Sequence, residues 1–233
     1  MPAEIEIHML RQPDDSTCGP TCLQAVYGHY GDAVPLVQVI DEVQHLPRGG
    51  TLAVMLGLHA RRRGYKARIY TCNMQVFDPS WFGPHAPPLH ERLRLRLKAR
   101  PRGKLATAIR AYLAFLELGG EIRLEDLNED LVMSYLRQGV PVLTGLSATW
   151  LYGCPRERGR PLEFDDVDGE PQGHFVVLCG YEAETRVISV ADPLGPNPLA
   201  PSSRYHVHVD RLICSVLLGI LTYDANLLIV EPS

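Results

Sequence analysis

The stretch from Gly173 to Asp192, GHFVVLCGYEAETRVISVAD, constrains the fold more than any other part of the chain. Two apolar runs, Phe175 to Tyr181 and Val187 to Ala191, flank a turn-like Glu182 to Arg186, the pattern of a β-hairpin. His174 opens the first run and Asp192 closes the second. Antiparallel pairing brings both to one end of a sheet, where an imidazole and a carboxylate can meet.

A second stretch, QPDDSTCGPTCL from Gln12 to Leu23, places Cys18 at the mouth of an expected helix, six residues after a glutamine. Asp14, Asp15, Ser16 and Thr17 are turn and N-cap types, and Gly19 and Pro20 suit a first helical turn. Leu23, Val26, Tyr27 and Tyr30 then recur at helical spacing, which predicts a helix from about Cys18 to Tyr30, ended by Gly31. Unpaired N–H groups and the positive end of the dipole at a helix N-terminus favour a thiolate, so this is a position for a nucleophile. Of the other cysteines, Cys22, Cys72, Cys179 and Cys214 read as core.

Together these residues resemble the C39-like family of papain-fold cysteine peptidases. Its pattern is a Gln, a Cys-Gly pair opening a helix about six residues later, a Gly-His-hydrophobic strand, and a closing Asp-Pro or Asn-Pro. Here the elements are Gln12, Cys18-Gly19-Pro20, Gly173-His174-Phe175-Val176-Val177 and Asp192-Pro193. The resemblance implies Cys18 as nucleophile, His174 as general base and later acid, Asp192 as orienter of the imidazole, and the Gln12 amide as an oxyanion donor. It also implies an α+β, papain-like fold, with a helical N-terminal part carrying the cysteine packed on an antiparallel sheet carrying the histidine and aspartate. The family's best-known members cut leader peptides after a double glycine, but the chain departs from them after residue 77, so that specificity does not carry over.

Length sets one domain over residues 1–233, with an insertion at about 77–104. A formal net charge of −4 gives no reason to expect nucleic acid, and no run of about eighteen apolar residues predicts a membrane span. The N-terminus has no secretory pattern, so a cytoplasmic protein is expected. Six scattered cysteines fit no secreted disulfide framework, and without CxxC or paired Cys/His spacing neither a metal nor another cofactor is expected.

In chain order, Ile5 to Leu10 alternates like a strand. Helices are expected over Pro35–Val43, Leu52–Arg63, Leu105–Leu118 and Leu127–Arg137, and strands over Lys66–Thr71 and Val140–Leu146. Arg61 to Arg63 read as a solvated helix end. Within the insertion, His90 to Arg100 is basic, with Leu89, Leu93 and Leu97 at i,i+4 spacing. It reads as an amphipathic helix packed by its leucines, or as a lid or partner surface whose arginines select an acidic substrate. Ser147 to Gly173 reads as a long loop in which Trp150 and Tyr152 either line a substrate pocket or anchor the loop. Its Asp165, Asp166, Asp168 and Glu170 form a solvated turn rather than a calcium loop. Beyond Asp192 a strand is expected over Tyr205–Val209, a helix capped by Asp210 to Leu218, and a strand over Asn226–Val230.

The chemistry these residues define is acyl transfer through a thioester on a peptide or small amide. With water as acceptor the protein is a peptidase or amidase; with an amine it is a transpeptidase or acyltransferase. A non-catalytic peptide-binding module, and a redox-sensing Cys18 resolved by Cys22, are the other readings.

Overall fold

The computed structural model describes residues 3–47, 49–159 and 163–233. Its helices are α1 (Cys18–His29), α2 (Leu36–Glu42), α3 (Ala53–Arg62), α4 (Leu89–Ala99), α5 (Gly103–Glu117), α6 (Glu129–Leu136), α7 (Ala148–Tyr152) and α8 (Val209–Leu218). The strands are β1 (Ala3–Glu4), β2 (Lys66–Thr71), β3 (Glu121–Arg123), β4 (Val142–Ser147), β5 (Glu157–Arg158), β6 (Glu163–Phe164), β7 (Gly173–Glu182), β8 (Val187–Ala191), β9 (Arg204–His208) and β10 (Asn226–Glu231).

The predicted hairpin is present. β7 and β8 pair antiparallel, with Val177 opposite Ala191 and Glu182 opposite Val187, and the register shifts by a bulge between Leu178 and Gly180. The main sheet runs β3-β2-β10-β4-β7-β8-β9, with β1 added to β7. Every pairing in it is antiparallel except β2 with β3. β4 is buried along its whole length and β7 everywhere but its ends, as continuous apolar strands covered on both faces should be. The fold is therefore α+β, as expected.

α1 and the central strands share one apolar core, to which Leu23, Val26 and Tyr27 of the helix and Phe175, Val176 and Val177 of β7 all belong. The close approach depends on Gly19. A Cβ there would lie 2.6 Å from Thr51 Cγ2 and 3.2 Å from both Leu56 Cδ1 and Phe175 Cδ2. α1 ends where expected, with Gly31 at φ 78°. Leu93 of α4 is fully buried and Leu89 and Leu97 pack against the core, while Leu95 is exposed, so the leucines do pack this basic helix.

Several expectations need correction. Ile5 to Leu10 is not a strand. The paired residues are Ala3 and Glu4, and beyond the Ile5 N–H, which donates to the Cys179 carbonyl at 2.6 Å, the alternation reflects Ile5 and Ile7 buried without a ladder. Arg61 and Arg63 are not simply solvated. Arg61 donates to the carbonyls of Leu118 and Tyr65, and Arg63 makes two 2.6 Å bonds to the Asp32 carboxylate. Asp210 does not cap α8; the His208 ring accepts the Asp210 N–H, and Asp210 pairs with Arg186. The expected loop after Ser147 contains α7, started by the Ser147 hydroxyl accepting the Trp150 N–H and ended by Gly153 at φ 66°. It also contains the two-stranded β5-β6 ribbon, while residues 160–162 lie outside the described residues.

Candidate active site

Cys18 is the first residue of α1 and is buried. The turn before it is built by Asp14, whose carboxylate accepts the N–H and hydroxyl of Ser16, both at 2.7 Å. Thr17 occupies the N-cap position, yet no side chain caps the helix, and Pro20 has no N–H. No side-chain acceptor thus competes for the N–H groups of Cys18 and Gly19 at this end.

His174, at the start of β7, is also buried, and its Nε2 lies 2.8 Å from Asp192 Oδ1. Asp192 has no exposed surface. Its Oδ1 also accepts the Leu194 N–H at 2.8 Å, and its Oδ2 accepts the hydroxyls of Tyr152 at 2.7 Å and Tyr205 at 2.8 Å. Burial alone would raise the carboxyl's pKa. The charge and hydrogen bond of His174, with the Tyr152 hydroxyl and Leu194 amide, outweigh it and hold Asp192 below its ordinary value. An ionised acceptor makes Nε2 the proton-bearing nitrogen and leaves Nδ1 as the second polar atom of the ring. Burial disfavours the charged imidazole, but Asp192 and Cys18 prevail and push His174 up to about 10.

Gln12 is brought beside this group by its backbone, whose N–H donates to the Pro193 carbonyl at 2.9 Å. Its side-chain Nε2 donates to the Asp14 carbonyl at 2.9 Å, and its Oε1 is buried without a partner among the described residues. An open depression of about 350 Å³ borders it, lined by Arg11, Gln12, Pro13, Asp14, Asp15 and Leu194.

Of the two aromatic residues expected at a substrate pocket, Trp150 is 47% exposed, whereas Tyr152 faces inward. The Tyr152 ring centroid lies 6.1 Å from that of His174. Tyr205 and the Leu194 amide belong to the same group and carried no sequence signal beyond the inward alternation of β9. Cys22, one turn after Cys18, has no exposed surface and donates to the Phe175 carbonyl at 3.2 Å. Burial, then the nearby Cys18 and Asp192, push its thiol well up, which makes it a poor resolving nucleophile.

Among the described residues no group of three or more His, Cys, Asp or Glu could hold a metal ion. Asp165 accepts the N–H groups of Val167 and Asp168 and pairs with Arg158. No described helix is long and apolar enough to cross a membrane.

The structure thus sets the Cys18 thiol at a helix start and joins His174 to Asp192 at the end of the sheet. The family model described as Peptidase C39 matches residues 6–85, which bears out the resemblance drawn from Gln12 and Cys18-Gly19-Pro20. No curated protein matches the chain. Similar solved structures include a double glycine motif protease from an AMS/PCAT transporter in complex with the leader peptide. It shares 16% identity at a TM-score of 0.48, with 99% of this chain and 94% of that chain covered. The peptidase domain of Streptococcus ComA shares 13% identity at 0.45, covering 98% and 100% respectively. Xylellain, a cysteine protease from Xylella fastidiosa, shares 12% at 0.46, covering 100% and 86%.

Proposed function

We propose that the protein is a cysteine peptidase or amidase acting on a peptide through a Cys18 thioester, built as one domain with residues 77–104 as an insertion. The observation that carries this reading is the buried 2.8 Å contact between His174 Nε2 and Asp192 Oδ1, with the buried Cys18 near enough to help raise the imidazole. The C39 match over the segment holding Gln12 and Cys18 supports it.

In this mechanism the Cys18 thiolate attacks the substrate carbonyl carbon beside a protonated His174. The oxyanion is stabilised by N–H groups at the start of α1 and by the Gln12 amide, once that amide leaves the Asp14 carbonyl. His174 Nδ1 gives its proton to the leaving amine as the C–N bond breaks, which leaves a thioester and a neutral imidazole. The imidazole then takes a proton from water, hydroxide attacks the thioester, and the acid product departs as the thiolate–imidazolium pair is restored. Asp192 stays ionised throughout and holds the ring.

Alkylation by iodoacetamide, located by mass spectrometry, tests the reading, with Cys214, which is exposed on α8 and not in the core as expected, as internal comparator. Buried Cys18 is expected to react faster than Cys214 at about pH 6, where ordinary thiols are protonated, and to lose that advantage in His174→Ala. Equal, slow labelling of Cys18 in both proteins would remove the peptidase reading. A positive result leads to a peptide screen with Cys18→Ala as the inactive control.

A further inference from the structure

A carboxylate with no exposed surface needs donors for both oxygens, and Asp192 has four. Oδ1 is filled from nearby, by His174 and by Leu194 two residues on. Oδ2 is filled by two tyrosines from separate elements, Tyr152 at the end of α7 and Tyr205 on β9. Neither is part of the β7-β8 hairpin that carries the imidazole and carboxylate.

The consequence is geometric. A carboxylate on a single side-chain bond can present either oxygen to a ring and can rotate about Cβ–Cγ. Two O–H···O⁻ bonds on Oδ2 remove both freedoms, and charge-assisted bonds of this kind are among the stronger ones in proteins. We propose that Tyr152 and Tyr205 are positioning residues, which pin Oδ2 so that Oδ1 alone meets His174 and the other ring nitrogen points at Cys18. The proposal rests on reading Cys18, His174 and Asp192 as the catalytic centre.

The two tyrosines differ in what else they do. Tyr152 is half-buried and also lies against the imidazole ring, while Tyr205 is buried and reaches Asp192 through its hydroxyl. Burial first, then the charge of Asp192, pushes both phenols far up, so they remain neutral donors wherever the enzyme works. Backbone carbonyls of the neighbouring Trp150 and Leu151 are held by Arg211 of α8, at 2.8 and 2.9 Å, which fixes the end of α7 from which Tyr152 reaches in.

The test uses Tyr152→Phe and Tyr205→Phe, which keep the rings and remove only the hydroxyls. His174 titration is followed by the Cε1–Hε1 resonance in NMR, Cys18 alkylation gives the chemical readout, and thermal unfolding reports stability. Each variant is expected to lower the His174 midpoint by about one pH unit, with the alkaline inflection of the Cys18 alkylation profile moving down alongside it. In an Asp192→Asn background the same substitutions should add no further shift. The proposal is overturned if folded variants melt lower without moving the imidazole titration or Cys18 labelling, since the hydroxyls would then serve stability alone. Loss of the wider reading looks different: with both tyrosines intact, His174→Ala would leave Cys18 labelling unchanged.

Discussion

The Gln12 N–H and the Pro193 carbonyl are 2.9 Å apart, a backbone bond between the loop that precedes Cys18 and the residue that follows Asp192. The two walls of the site are therefore joined at main-chain level, and the Gln12 side chain is left for another task. Its amide donates to the Asp14 carbonyl while its Oε1 has no partner among the described residues. Under the proposed mechanism, Gln12→Ala is expected to lower peptide turnover by about 10²- to 10³-fold, the usual cost of an oxyanion donor. Alkylation of Cys18 should stay near the unsubstituted rate, because it forms no oxyanion. A parallel fall in both rates would make Gln12 a structural residue.

The imidazole–carboxylate pair also sets the pH range of stability. His174 is raised from 6.5 to about 10 in the folded chain, so its contribution is complete below about pH 6.5 and is lost as pH rises through about 10. Asp192 is lowered from 3.8, so its contribution is present above that value and is lost as pH falls further. Calorimetry across pH should show a plateau between about 4 and 6.5 with decline on both sides. Asp192→Asn should flatten the alkaline decline, and an unchanged alkaline limb in that variant would contradict the coupling.

Gly19 holds α1 close to its neighbours, and Thr51, Leu56 and Phe175, which a new Cβ would meet, are all buried. Gly19→Ala should destabilise the protein by about 1–3 kcal/mol in urea unfolding, as overpacking of a filled core does. Neutral or improved stability would mean that the helix start can retreat.

Two leucines of α4 separate its packed face from its solvent face. Leu93 has no exposed surface and Leu95 is 58% exposed. Leu93→Ala is expected to cost about 2–5 kcal/mol and Leu95→Ala less than about 0.5. Similar small values for both would return α4 to the status of a detachable lid.

Much of this architecture could be read before any coordinates. The strand Lys66–Thr71 and the hairpin strands appear where apolar runs and their flanking turns put them, because long buried elements write their period into the sequence. The failures are short or long-range. β3 has three residues and α7 five, too few to show a period, although the Ser147 cap and Gly153 stop that bound α7 are ordinary signals. Ile5 and Ile7 alternate with exposed residues as strand residues do, but burial under other elements produces the same pattern without pairing. His174 and Asp192 were legible as neighbours because a hairpin fixes which residues share its end. Tyr152 and Tyr205 were not, since nothing local tells a tyrosine which of many acceptors its hydroxyl will reach across 40 or 13 positions.

β10 lies between β2 and β4 and pairs with both, so it joins the part of the sheet that continues to β3 with the part that carries the hairpin. During synthesis, residues 66–71 and 142–147 both leave the ribosome long before the strand that unites them at 226–231. Closure of the sheet is thus a late, long-range event, of the kind that slows folding. A nascent chain that has already emitted Cys18, His174 and Asp192 still lacks the strand between its two half-sheets. The segment that closes the sheet pairs with neither β7 nor β8.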